Sequence, residues 1–335
     1  MKTCVQTMST PVVDQFHDIA RQLIYTLVAV TLLFIAAGPA FADKEATSDA
    51  DPVFRQTVYA TPELAAQALT DALDSEDRAA LKKMFGEKFS ELLPLDPIDR
   101  EDVEKYLALY AEQHRLIPEQ EQKFMLAVGK EKWTFPVPIV EVHNGWYFDT
   151  TAGIEEVRIR RIGRDELATI QASLAYYDAQ KEYAEQDRND DGVLEYAQQF
   201  ISTPGSHDGL YWETGPGEPQ SPLGPLFADN QLPDDAYHGY HYRILKSQGK
   251  SAPGGAYNYL IGGRMTAGFA LIAWPATYAD TGVMSFMISH DGIVYEQDLG
   301  PESASEAEAM HFFDPGPGWT PVPDTADKPT GANPE

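Results

Sequence analysis

The sequence predicts an α+β fold, and three changes of pattern along the chain predict it. Between Thr61 and His114 apolar residues recur every three or four positions, the spacing of one helix face. Between residues 121 and 148, and again after Gly239, they alternate in short runs broken by glycine, proline, Asn-Gly and Asp-Gly, the signature of antiparallel strands. Between those strand-rich stretches lies the longest helical run, residues 165 to about 186, with Leu167, Ile170, Leu174 and Tyr177 on one face. Helices and strands segregated in this way give α+β rather than alternating α/β.

The first helix starts at Thr61, which caps it, with Pro62 in its first turn and Leu64, Ala65, Leu69 and Leu73 at helical spacing. A second is expected from Ser75 to Phe85, closed by Gly86, and a third from about Asp99 to His114 with Val103, Tyr106, Leu107 and Tyr110 on one face. Strands are expected over 121–128, Trp133 to Val140 and Trp146 to Phe148, separated by turns at Gly129 and Asn144-Gly145. Pro136 and Pro138 lack ladder donors and restrict the middle strand to a sheet edge. After the long helix the residues 202–236 turn to Gly, Pro and aromatics and read as loops. An antiparallel meander follows, over Tyr240–Leu245, Tyr257–Ile261, Gly268–Ala273, Val283–Ile288 and Ile293–Gln297, with Asp291-Gly292 as its clearest hairpin turn. The expected organisation is a signal peptide (1–42), a tether (43–52), a helical α+β part (53–201), the loop region (202–236), a β part (237–313) and a disordered tail (314–335) holding six prolines.

Charge excludes several functions. Across 335 residues, 52 Asp and Glu face 25 Lys and Arg, a formal net charge of −27. A nucleic-acid binder needs clustered cations to displace counterions from phosphates, and an anionic lipid surface would repel this chain. The aromatic content of 11% and hydrophobic content of 43% are enough for a packed core.

The N-terminus indicates export. Residues 23–37 are apolar and uncharged, follow Arg21, and precede Gly38-Pro39 and an Ala40-Phe41-Ala42 cleavage box. The run is shorter than the roughly twenty residues of a spanning helix, so no membrane span is expected once the signal is removed. Met8 is an alternative start. The segment 1–42 carries Lys2 and Arg21 against Asp14 and Asp18, so its removal leaves the charge unchanged, and it takes the chain's one cysteine, Cys4, with it. Disulfides, thiol catalysis and thiolate metal sites are then excluded. The expected location is the periplasm, with secretion as the alternative.

One segment carries a metal pattern. Asp187, Asn189 and Asp191 followed by Gly192 match the opening of a calcium loop, D-x-[DN]-x-[DN]-G. Calcium takes six to eight hard oxygens, and side chains at positions one, three and five converge where the chain turns at a glycine in position six. Val193 would add its carbonyl at position seven, and helical patterns on both sides suit a helix–loop–helix. At position twelve Gln198 stands where a bidentate Glu belongs, so affinity should fall toward about 10⁻⁴ to 10⁻³ M. A solvated acidic turn is the competing reading.

The rest of the chain holds no nucleophile elbow, H-E-x-x-H, Walker or dinucleotide glycine motif. His238 and His241 are three apart, but on a strand that spacing sends them to opposite faces. Ser206-His207-Asp208 are neighbours in sequence, whereas triads assemble through folding. Tyr211, Trp212 and Tyr240 are the aromatic candidates for stacking on a ligand, against burial beneath the loops.

The stretches Trp133 to Val140, Asp208 to Trp212, Ser221 to Pro225, His238-Gly-Tyr240 with Arg243 to Leu245, Gly268 to Ala270 with Ala273 to Pro275, and Val294-Tyr295 with Asp298 to Gly300 carry a resemblance. On them the chain resembles the bacterial family catalogued as domain of unknown function 2950, over about residues 53 to 322. The resemblance implies an exported envelope protein without a settled activity, and family members often carry an acidic loop ahead of a Tyr-Ala pair, which Asp187 to Ala197 matches with Asn189 for the middle carboxylate. The C-terminal meander is more distantly similar to the globular heads of pseudopilins, although the Ala40-Phe41-Ala42 box departs from a retained prepilin helix. The expectation is a non-catalytic, calcium-stabilised envelope protein that binds or assembles with an envelope protein or polymer. The alternative is a hydrolase of an envelope polymer, favoured if His207, Asp208 or Glu213 lined one cleft with a perturbed carboxylate.

Overall fold

The computed structural model describes residues 56–92, 100–215, 220–224 and 236–323. The expected signal peptide and tether, and most of the expected tail, lie outside the described residues. The architecture is α+β, with one long helix and antiparallel sheets toward both ends. The chain divides into two compact units, Met1–Val157 and Arg158–Glu335.

In the first unit, α1 (Pro62–Asp74) is capped by Thr61, whose Oγ1 accepts the Leu64 N–H at 3.3 Å, and buries Ala65, Ala66, Leu69 and Leu73. Helix α2 (Arg78–Phe85) starts three residues later than expected because Asp77 takes the Ala80 N–H at 2.9 Å and caps it there. A 3₁₀ turn (Gly86–Lys88), α3 (Phe89–Leu92) and α4 (Arg100–Glu112) follow. The chain then runs extended as β1 (His114–Gln120), a strand the sequence did not announce: its side chains are mostly exposed, so it shows no apolar alternation. Strand β1 pairs with β2 (Lys123–Val128), and the other edge of β2 is shared by β3 (Trp133–Thr134) and β4 (Ile139–Val142), beyond which lies β5 (Gly145–Phe148).

This arrangement corrects the expected edge strand. Pro136 and Pro138 fall between β3 and β4, where no ladder donor is needed, so β4 sits inside the sheet between β2 and β5. The core rings Phe85 and Phe148 lie 5.3 Å apart. Gln56 closes the unit: its Nε2 donates to Met84 O and Phe148 O, each at 3.0 Å.

Helix α5 (Thr150–Tyr183) is 34 residues long and starts fifteen residues before the expected Asp165. Its early turns hold Gly153, Gly163 and four arginines, which hide the apolar stripe; Gly153 is small because Val137 packs so close that a Cβ would stand 2.6 Å from it. The division between the units falls within this helix, not at the expected loop region.

The second unit is built on a sheet of order β14-β13-β12-β11-β6, formed by β6 (Tyr240–Leu245), β11 (Ala270–Pro275), β12 (Met284–Ser289), β13 (Val294–Asp298) and β14 (Thr320–Pro321). Every residue of β11 is buried. The β12–β13 hairpin turns at Asp291-Gly292 as expected, with Gly292 at φ 77°. The Tyr257–Ile261 segment does not join this sheet. It splits into β8 (Tyr257–Asn258), paired with β7 (Ser247–Gln248), and β9 (Leu260–Ile261), paired with β10 (Arg264–Met265), because Asn258 Oδ1 takes the Leu260 N–H at 2.8 Å and bends the chain. A short helix, α6 (Ser303–Ala309), was not expected. Its last carbonyls are met by Arg243, which donates to Glu308 O, Ala307 O and Met310 O.

Helix α5 joins the second core through buried polar groups. Tyr176 donates to Ala270 O at 3.2 Å, and the fully buried Gln180 donates to Tyr176 Oη (3.0 Å) and Ala197 O (2.8 Å) while accepting the Ala197 N–H (2.9 Å). One side-chain amide thus serves both backbone groups of Ala197. Gln180→Ala strips both of their partners and leaves a void, and we expect it to cost about 2–4 kcal/mol in urea unfolding, against near-neutral substitution at the exposed Glu182.

Candidate functional site

The site arises where the end of α5 and the residues after it fold back on the second unit. Tyr183 closes the helix, and its hydroxyl donates to His207 O at 2.7 Å. The Asp187–Gly192 turn follows, and then an extended stretch in which Tyr196 bridges to Met265 and Gln198 donates to Gly263 O at 2.9 Å. The Thr203–Asp208 loop is drawn in by Asp208, whose carboxylate accepts the Thr203 N–H (2.7 Å), Thr203 Oγ1 (2.8 Å) and Ser206 Oγ (2.7 Å). Together these segments enclose a cavity of about 570 Å³, within the range of small-molecule sites. From the first segment Tyr183, Arg188 and Glu195 line it; His207 and Asp208 face them; Lys246 enters beyond the end of β6.

The wall carries both charge signs. Arg188 sits over two rings, its guanidinium carbon 5.5 Å from the Tyr183 centroid and 5.3 Å from that of Trp212. Trp212 also stacks on His207 at 4.4 Å. Burial, with the charge of Glu195 next, pushes the Tyr183 hydroxyl up to about 12; Arg188 opposes and Asp208 adds to the shift. One hydroxyl therefore lies within reach of three charges. Burial disfavours the Asp208 anion, but the bonds from Ser206 and Thr203 outweigh it and hold its carboxyl at about 2.

The expected ligand residues are placed differently. Tyr240 is fully buried, donates to Met284 O at 2.9 Å and packs on Phe286, so it is a core ring and offers no face to a ligand. Tyr211 pairs its backbone with Phe200 and Ser202 and packs on the core. Trp212 buttresses Arg188 and His207 rather than lining the cavity.

The metal loop keeps its opening turn. Asp187 accepts the Gly192 N–H at 2.7 Å, which with further loop amides holds its carboxyl below the usual range, and Asp190 and Gly192 turn through φ 57° and 82°. Asn189 Oδ1 accepts the Asp191 N–H, Asp191 Oδ1 accepts the Val193 N–H, and Arg264 pairs with Asp191 Oδ2 at 2.6 Å. The closing half does not fit a twelve-residue calcium loop. Gln198 turns its amide to Gly263 and to Lys246 Nζ (3.3 Å), and no helix follows, since the chain is held extended by the Tyr196–Met265 bridge and by Gln180 on Ala197. Among the described residues no group of three or more His, Cys, Asp or Glu side chains is arranged to hold a metal.

Sequence reasoning misses the cavity residues Tyr183, Arg188, Gln199 and Lys246 and marks His207 and Asp208 only for the hydrolase alternative. Their positions spread over sixty residues and follow no periodicity, so no local pattern signals them.

Fold and cavity define an α+β protein with a mixed-charge cleft in its second unit. The chain belongs to the family described as protein of unknown function (DUF2950), which it matches over residues 56–322. The pseudopilin likeness is not shown. No curated protein and no solved structure matches the chain. Among the described residues no helix is long and apolar enough to cross a membrane.

The Asp208 carboxylate yields a pH prediction. Its folded value of about 2 lies below the ordinary value of about 3.9, so its contribution is complete above pH 4 and disappears as pH falls toward 2. Urea midpoints should therefore separate the parent from Asp208→Asn above pH 4, with the gap narrowing through that window; a gap independent of pH would contradict the assignment.

Proposed function

We propose that this is an exported, periplasmic protein of the bacterial envelope that binds a polar ligand in the Tyr183–Lys246 cleft without transforming it. The single observation that carries the reading is the cavity itself: about 570 Å³, lined by two cations in a chain of net charge −27, with Arg188 fixed between aromatic rings. Export is supported by the apolar run 23–37 and the Ala40-Phe41-Ala42 box. Against the hydrolase alternative stands the direction of the Asp208 shift. A carboxyl held at about 2 is neither a proton donor nor a strong base at neutral pH, and its oxygens are taken by Thr203 and Ser206.

Chemical-shift mapping with amino acids, sugars, carboxylic acids and phosphate tests the reading. At least one class should move the signals of Arg188, Glu195, His207 and Lys246, and the compound should be recovered intact. Silence of all four residues toward every class, or turnover of the compound, would overturn it.

Calcium remains part of the proposal through the first half of the loop, where Asp187, Asn189 and Asp191 supply side-chain oxygens and Val193 a carbonyl. Such a site stabilises the folded state by RT ln(1 + [L]/Kd), so millimolar calcium should raise the thermal midpoint above that in EDTA, and Asp187→Ala should abolish the rise. An unchanged midpoint would leave Arg264 as the loop's counter-charge.

A further inference from the structure

We propose that the ligand of this cleft is a short peptide or free amino acid held by its charged ends, the carboxylate on Arg188 with Lys246 and the ammonium on Glu195. The inference rests on the reading of the cleft as a binding site and names its ligand class.

It follows from which lining groups still have bonds to give. Arg188 makes, among the described residues, one hydrogen bond, from Nε to Tyr183 O at 3.4 Å, and its guanidinium lies over the rings of Tyr183 and Trp212. Both Nη groups are left over, and that planar edge matches a carboxylate in two parallel bonds. Lys246 Nζ gives, among the described residues, one hydrogen bond, to Gln198 Oε1, of the three it can make. Glu195 accepts from Asn189 Nδ2 on Oε1 at 2.9 Å, and its Oε2 takes no hydrogen bond among the described residues. Asp208 is different: three donors already occupy it, so it shapes the loop and has little left to offer.

The open capacity is therefore two cationic groups and one carboxylate, of both signs, close enough that Arg188 and Glu195 act together on the Tyr183 hydroxyl. A ligand with an ammonium and a carboxylate answers both. Inorganic phosphate would meet Arg188 but face Glu195 and Asp208. A neutral sugar would cover these charges and pair none of them, which is costly, and the Trp212 ring is already covered by His207 and Arg188.

The test is calorimetric titration of the whole protein with trialanine, N-acetyl-trialanine, trialanine amide, inorganic phosphate and diacetylchitobiose. Trialanine should bind, and blocking either end should weaken it about tenfold or more, the range for losing a charge-assisted bond. In Arg188→Gln the preference for the acid over the amide should shrink to what Lys246 alone supplies, and in Glu195→Gln the free and acetylated peptides should bind equally. The blocked peptides test the idea on the unaltered protein, so a misfolded variant does not protect it. Equal binding of blocked and free peptides, or binding of phosphate or chitobiose in place of trialanine, overturns the peptide assignment and leaves the cleft a binding site. Failure of trialanine to bind overturns the peptide assignment, and silence of the cleft toward every compound class of the chemical-shift mapping overturns the binding site as well.

Discussion

The second unit depends on one buried amide. Gln180 meets the N–H and the carbonyl of Ala197 as a neighbouring strand would, and its third bond, to Tyr176, continues to Ala270 in the buried strand β11. Ala197 lies seventeen residues on from Gln180, and the whole acidic turn is the excursion between them. Because both backbone groups are buried, the loop cannot leave without abandoning two hydrogen bonds in a region water does not reach. A segment without regular secondary structure is thereby fixed at both ends, and side chains along it gain defined positions.

That constraint explains why a cleft forms in so irregular a region. Tyr183 reaches His207 O, Asp208 gathers Thr203 and Ser206, and Gln198 fastens to Gly263, so the irregular walls of the cavity are tied to the end of α5 and to one another by polar bonds. The charge pattern follows the same logic. Arg188 is oriented by two aromatic rings, and Asp208 stays ionised because three donors outweigh its burial. Side chains held before a ligand arrives lose less freedom on binding, which is what a recognition site requires.

The metal pattern shows how a motif and its surroundings separate. Positions one to six of the calcium loop are governed by local hydrogen bonds and by Gly192, and they fold as the pattern demands. The twelfth position is governed by what lies beyond the loop. There Lys246 and Gly263 claim Gln198, and Arg264 claims Asp191.

The sequence by itself determined the α+β class, the capped helix at Thr61, the Asp291-Gly292 hairpin and the Asp187–Gly192 turn, since each rests on interactions between residues a few positions apart. It also carried the family, through blocks spread over residues 56–322. It did not reveal β1, whose exposed side chains leave no alternation, nor the early turns of α5, whose arginines mask the helical face. Nor did it separate Tyr240, sealed in the core, from rings that face a cleft, because burial is decided by strands β6, β11 and β12 meeting, with Tyr240 bonded to Met284 44 residues on. Only the tertiary structure brought Arg188, Glu195, His207 and Lys246 to one cavity: their positions are set by hydrogen bonds between residues distant in sequence, and no local pattern encodes such bonds.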